Sequence, residues 1–250
     1  MESQRPVLEM RGICKRFGGV QALDQVHFTA FAGQVTALIG ENGAGKSTLM
    51  NILGGVLQPD AGEIELNGRE VVIRSVPDAI RLGIGFIHQE LNVLDNLDVA
   101  GNIFLGREPH GRAPLKLIDR KKLHDLARPF LQQLGISVPT ERLVGDLSLA
   151  QRQMVEVAKA LAQKARILIM DEPTSRLTNT ETRNLLQIMR CLCAEGVALL
   201  FISHRLQEVI EIADQVIALK DGRNSGSLSR PDLSRDRMVH LMIGRDIRPA

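Results

Sequence analysis

A chain of 250 residues, 44% apolar and 24% charged, can bury a core the size of one large domain or two small ones. Lys plus Arg number 31 against 29 for Asp plus Glu, with no long basic run, which argues against a nucleic-acid footprint or an acidic-lipid patch. No stretch approaches the roughly 18 consecutive apolar residues of a membrane-spanning helix, and the first residues are polar rather than signal-like, so the expected place is the cytosol, with any membrane contact made through another protein.

In chain order, residues 7–17 and 21–28 read as antiparallel strands, and 63–72 as a hairpin turning at Asn67-Gly68. The run 35–39 is apolar without alternation, the pattern of a strand buried on both faces in a parallel sheet; 167–170 and 198–202 repeat it, and each run is followed by polar residues. The stretch 91–147 carries helix signals and no buried-strand run, so it reads as a helical insertion. Within it Leu123, Leu126, Ala127, Phe130, Leu131 and Leu134 keep one helical face; Met154, Val157, Ala158 and Leu161 do the same further on. Thr178 with Glu181 makes a capping box for a helix that Gly196 can end, and Asp221-Gly222 supplies a last turn. Cys14, Cys191 and Cys193 are an odd count without zinc spacing, and the last two point in different directions on a helix, so all three read as reduced structural thiols.

Two motifs carry chemistry. Gly40-Glu41-Asn42-Gly43-Ala44-Gly45-Lys46-Ser47-Thr48 follows an apolar strand and precedes 49–53, which can start a helix. Its glycines let successive N–H groups face phosphate oxygens at a helix N-terminus, Lys46 can reach the β- and γ-phosphates, and the Ser47 hydroxyl is placed for Mg²⁺. The second motif is Asp171-Glu172 at the end of the 167–170 strand, at the sheet edge where doubly wound folds bind ligands. Asp171 is expected to support Mg²⁺ and Glu172 to act as general base on the attacking water. Loop and acids together define a large class of Mg²⁺-dependent nucleoside triphosphatases, which the motifs below narrow to an ATPase.

Leu147-Ser148-Leu149-Ala150-Gln151 before a helix, Gln89 after the strand 84–87 and His204 after the strand 198–202 complete a set of five motifs in one order. Over essentially the whole chain this resembles the ATP-binding cassette ATPases. The resemblance implies an α/β fold: a P-loop NTPase core with a parallel sheet, an antiparallel β subdomain and a helical subdomain at about 91–147, in one nucleotide-binding domain over 1–250. It assigns Phe17 to stacking on adenine, Gln89 to Mg²⁺ contact and to the face of the transmembrane partner, and His204 to the γ-phosphate. Ser148, Leu149, Ala150 and Gln151 match the signature that completes, in trans, the site of an opposite cassette. Phe17 as plain core, Gln89 as an ordinary surface loop residue and His204 as a turn histidine are the competing readings.

Three stretches, 87–92, 102–108 and 153–161, look like the amino-terminal cassette of bacterial monosaccharide importers of the ribose, galactose and xylose type. In that group one polypeptide carries two cassettes, and Met242-Ile243-Gly244-Arg245-Asp246-Ile247 resembles the end of the first. The partners implied are a second cassette (a tandem half or another copy), an integral-membrane permease and, indirectly, an extracytoplasmic solute-binding protein, with no nucleic acid; the place implied is the inner face of the bacterial plasma membrane. A soluble cassette ATPase of DNA repair or ribosomes is opposed by the near-neutral charge and the lack of a coiled-coil or zinc insertion, and a non-hydrolytic regulatory scaffold by Glu172 and His204.

The sequence departs from the family pattern twice. Leu149 and Ala150 stand where the signature usually has glycine; a methyl group at Ala150 can hold the backbone off a phosphate or forbid φ > 0. Similar importers share the alanine, which implies two unequal sites in the assembled pair. Arg176 stands where a small residue is usual, in a loop that crosses the cassette interface in the family; an arginine pointing to solvent is the alternative.

Overall fold

The computed structural model describes residues 5–111 and 117–243; Gly244 to Ile247, quoted above for the end of the chain, lie outside the described residues, as do Met1 to Gln4. The strands are β1 (Leu8–Phe17), β2 (Val20–Ala30), β3 (Val35–Ile39), β4 (Ala61–Leu66), β5 (Arg69–Glu70), β6 (Ile84–Ile87), β7 (Ile167–Asp171), β8 (Ala198–Ile202), β9 (Gln215–Lys220) and β10 (Arg223–Ser229). The helices are α1 (Lys46–Leu53), α2 (Val76–Arg81), α3 (Val99–Ile103), α4 (Arg120–Gln133), α5 (Leu149–Ala162), α6 (Asn179–Ala194), α7 (Leu206–Ile212) and α8 (Arg235–Ile243).

Two sheets result. An antiparallel sheet has the order β2-β1-β4-β5, and the larger sheet runs β10-β9-β3-β8-β7-β6. In the larger one β9, β3, β8, β7 and β6 are parallel, with β10 antiparallel at the edge. The three apolar runs are therefore the parallel strands that their lack of alternation predicts. Their side chains alternate in space instead: Leu199 and Phe201 enter the core under α5 and α6, whereas Leu200 and Ile202 enter the core shared with α1 and the antiparallel sheet. A strand with a hydrophobic layer on each face has no polar side to show.

Turn chemistry closes the hairpins. Asn67 (φ 51°) with Gly68 (φ 74°), and Asp221 (φ 48°) with Gly222 (φ 75°), are left-handed pairs that fit the twist of two-residue hairpins. Both Thr178-Glu181 and Ser148-Gln151 form complete capping boxes, at α6 and α5.

Two expectations need correction. Helix α1 starts at Lys46 rather than in the apolar stretch 49–53, because Gly45 at φ 100° serves as its N-cap and turns the loop straight into the helix. On α4 the buried face is Leu123, Ala127 and Leu131; Leu126 is 41% exposed, since it lies one residue off the i, i+4 stripe. The described part of 91–147 holds α3, α4 and a 3₁₀ turn (Val144–Asp146), with isolated bridges but no strand of either sheet.

Candidate functional site

The order β3-β8-β7-β6 places four motif-bearing loops side by side, because parallel neighbours all end at the same sheet edge. Strand β3 delivers the loop 40–48, β8 delivers His204, β7 delivers Asp171 and Glu172, and β6 delivers Gln89. Registers such as Asp171 opposite Ile202 and Ile87 opposite Met170 fix how far each reaches.

The loop conformation depends on its glycines. Gly40 has φ 154° and lies so close to the β9 end that a Cβ would sit 2.4 Å from the Leu219 carbonyl oxygen. A Cβ on Gly45 would meet the Leu23 side chain at 2.6 Å and the Ala22 carbonyl at 2.7 Å, so the start of β2 walls one side. Gly43 (φ 85°) faces open space; there the conformation alone calls for glycine. Ala44 is buried and pins the loop, while Glu41, Asn42 and Ser47 are exposed and Thr48 is half-buried. The Lys46 ammonium donates to the Gly40 carbonyl (2.8 Å) and the Glu41 carbonyl (2.9 Å). Burial lowers its pKa, and Glu172 and Asp171 pull it back up, which places all three groups in one electrostatic neighbourhood.

Asp171 responds in the opposite sense: burial raises its pKa, the Glu172 charge raises it further, and Lys46 opposes both. Glu172 holds φ 47°, an uncommon conformation for a residue with a side chain, and its N–H donates to the Ile202 carbonyl at 2.9 Å. That geometry turns its carboxylate toward β8, where Oε1 lies 3.1 Å from His204 Nδ1. The His204 side chain is largely exposed, and its ion-pair partner among the described residues is the candidate base. Gln89 is exposed, just beyond β6.

Phe17 ends β1 with 45% of its surface exposed, which removes the plain-core reading. Its ring carries Lys15 Nζ at 5.7 Å. It pairs with Val20 across the hairpin whose second strand, at Ala22 and Leu23, walls Gly45.

Ser148 accepts from the Gln151 N–H, and Gln151 Oε1 accepts from the Ser148 N–H at 3.0 Å, leaving Leu149 and Ala150 as the first two residues of α5. Ala150 is thus helical and is not among the positive-φ residues. Of the two consequences expected from its methyl group, a forbidden φ > 0 falls away and a longer approach to phosphate remains. Ser148→Ala is expected to cost about 1 kcal/mol of stability through loss of the cap, read as a lower midpoint in urea unfolding.

Arg176 is exposed in the turn after Glu172, consistent with the solvent reading. Sequence reasoning missed the braces around it. Gln153 Nε2 donates to the Pro173 carbonyl at 2.6 Å, and buried Thr174 donates to Glu208 at 2.5 Å. Arg152 donates to the carbonyls of Leu147 (3.1 Å) and Gly145 (2.7 Å) and pairs with Asp95 (3.0 Å), fixing the approach to α5.

The family described as ABC transporter matches residues 23–175. A ribose import ATP-binding protein RbsA of Clostridium perfringens (strain SM101 / Type A) is 47% identical over 247 residues, covering 99% of this chain and 49% of that protein. Ribose import ATP-binding protein RbsA 1 of Rubrobacter xylanophilus is 53% identical over 243 residues, 97% of this chain and 48% of its own. The chain therefore spans about half the length of the curated relatives it matches. Among solved structures, the ADP conformation of MJ1267, an ATP-binding cassette of an ABC transporter, superposes with a TM-score of 0.84 at 27% identity, covering 96% of this chain and 100% of that one. A family match across more than half of the sequence, over a sheet edge built in this way, settles the membership: the chain belongs to the ABC transporter family.

Proposed function

We propose that this chain is the ATP-binding and ATP-hydrolysing subunit that energises a membrane permease for import of a sugar, with monosaccharides the solute class suggested by the names of its relatives. The observation that carries the ATPase half is the pairing of Glu172 with His204 at 3.1 Å beside the Lys46 loop. Phosphates would lie on the N–H groups of residues 40–48, with Phe17 against the adenine and the in-trans residues Ser148, Leu149, Ala150 and Gln151 completing the site of a second cassette. On this reading residues 1–250 act as one cassette, with the helical part at about 91–147 facing the permease, on the cytoplasmic side of the membrane. An extracytoplasmic binding protein would deliver the solute.

Ser47, Asp171 and Gln89 offer oxygen donors of the kind Mg²⁺ takes beside phosphates. The fit is supported by Asp171, whose carboxyl is pushed up by burial and by its like-charged neighbour, a strain that a cation relieves. When bound, Mg²⁺ neutralises phosphate charge. The remaining chemistry falls to the chain's own residues. The His204 ring, 3.1 Å from Glu172 Oε1, stands against that carboxylate, and Glu172 takes the proton from the attacking water.

The test is ATP-driven sugar uptake into vesicles containing the permease and this chain, with ribose as the first solute. Uptake that follows ATP turnover supports the reading, and steady turnover with no permease dependence removes the transport half. Phe17→Ala is expected to weaken ATP binding roughly 2- to 10-fold, by loss of stacking, in a fluorescent-nucleotide titration. For Ala150, the proposal is an unequal pair of sites; equal turnover at both composite sites of the assembled transporter rules it out.

A further inference from the structure

Glu208, in the first turn of α7, is 9% exposed, and both of its carboxylate oxygens are engaged. Oε2 accepts from the Thr174 hydroxyl at 2.5 Å, and Oε1 accepts from Arg205 Nη1 at 3.1 Å. Buried Thr174 lies two residues after Glu172, and Arg205 directly follows His204. A single buried carboxylate therefore grips the chain just beyond each member of the Glu172–His204 contact.

The same two loops are joined at further points. Arg205 Nη2 donates to the Ser175 carbonyl at 3.3 Å, and the Arg205 backbone N–H donates to the hydroxyl of buried Ser203 at 3.0 Å. The Ser175 N–H donates to the Glu172 carbonyl at 3.1 Å, so the turn held by Glu208 closes back on the candidate base. Burying a carboxylate is costly unless its oxygens find partners, and here a hydroxyl and a guanidinium supply them. Apolar side chains of similar volume would hold two packed loops together at least as well, so stability alone does not call for this arrangement. What hydrogen bonds add is a fixed distance and direction between the loops.

We propose that Glu208 is a positioning residue for ATP hydrolysis, fixing the His204 loop to the Glu172 loop so that histidine and base keep their separation during the reaction. The inference rests on the ATPase reading above, with Glu172 as the base. Glu208 acts through Thr174 on one side and Arg205 on the other. The Lys46 loop is walled separately, by Leu219 at the end of β9 and by Ala22 and Leu23 of β2, so loss of Glu208 falls on turnover and spares ATP binding.

The experiment measures kcat and KM for ATP hydrolysis by the assembled transporter. Glu208→Ala is expected to lower kcat roughly 10- to 100-fold, the scale of a small misplacement of reacting groups, with KM unchanged. Glu208→Gln should recover most of that loss, because its carbonyl oxygen can accept from Arg205 while its amide donates to the Thr174 oxygen. Thr174→Val, close to the parent in shape, should lower kcat in the same sense and Thr174→Ser should restore it; this pair decides the matter if Glu208→Ala does not fold. In a Glu172→Gln background Glu208→Ala should cost no further turnover, since the group it positions is already gone, whereas a role in stability alone would subtract equally from both backgrounds. Parental kcat in Thr174→Val and Glu208→Ala overturns this inference alone, as does a loss that appears in KM or persists in full beside Glu172→Gln. A parent assembly that does not turn over ATP, or parental turnover in Glu172→Gln, overturns the reading of the site and the inference with it.

Discussion

Glu172→Gln is expected to bind ATP as tightly as the parent chain and to hydrolyse it about 10²- to 10⁴-fold more slowly, the range a positioned general base contributes. The substitution preserves shape, so the fold around β7 and β8 stays as it is. What it removes is the capacity to take a proton. The strained backbone of Glu172 (φ 47°) supports this assignment, because a conformation that costs of order 1–3 kcal/mol persists only where its surroundings enforce it. Here they do: the Glu172 N–H bonds to Ile202, its carboxylate meets His204, and the residues that follow are tied down by Gln153 and by Glu208. Single-turnover phosphate release, beside an equilibrium titration with ATP, separates the two effects. Turnover within a few-fold of the parent would remove Glu172 as the base.

The parts of this molecule that could be read from sequence are those whose cause is local. Val35–Ile39 and Ala198–Ile202 announce themselves as doubly buried strands by composition alone, and Asn67-Gly68 and Asp221-Gly222 announce turns because few other pairs tolerate their backbone. Thr178 declares a helix start because cap and partner are three residues apart. The loop 40–48 is legible from its glycine spacing, although the walls that hold Gly40 and Gly45 come from β9 and β2. What could not be read has its cause elsewhere in the chain. Arg152 is an unremarked surface cation until Asp95 and the Gly145 carbonyl are brought to it, and Glu208 gains its meaning only from Thr174, far away in sequence. Glu156 looked like one polar position in a helical pattern, and only packing against the stretch after β6 shows it buried with an unsatisfied oxygen. Leu126 failed for the complementary reason: an apolar residue next to a buried stripe looks the same in sequence as one within it.

Lys46→Ala should act on the other half of the reaction. Its ammonium is half-buried, held at 2.8 Å and 2.9 Å by two carbonyls of its own loop, and it lies near enough to Glu172 and Asp171 to feel both charges. Burial lowers its pKa and the two acids oppose that shift, so the position suits a cation that has already shed part of its water and can exchange carbonyl partners for phosphate oxygens at small cost. Removing it forfeits hydrogen bonds to a charged ligand worth about 1.5–3 kcal/mol, an expected loss of roughly 10- to 150-fold in ATP affinity by calorimetric titration. The loop itself should survive, since Gly40, Ala44 and Gly45 are fixed by their packing against Leu219, Ala22 and Leu23 rather than by the lysine. A melting temperature near that of the parent would show this. The contrast with Glu172→Gln is the sharper result: one variant should lose binding and the other should lose chemistry while keeping binding. If Lys46→Ala bound ATP like the parent and lost only turnover, the lysine would act on the transition state alone, and the loop N–H groups would carry ground-state affinity without it.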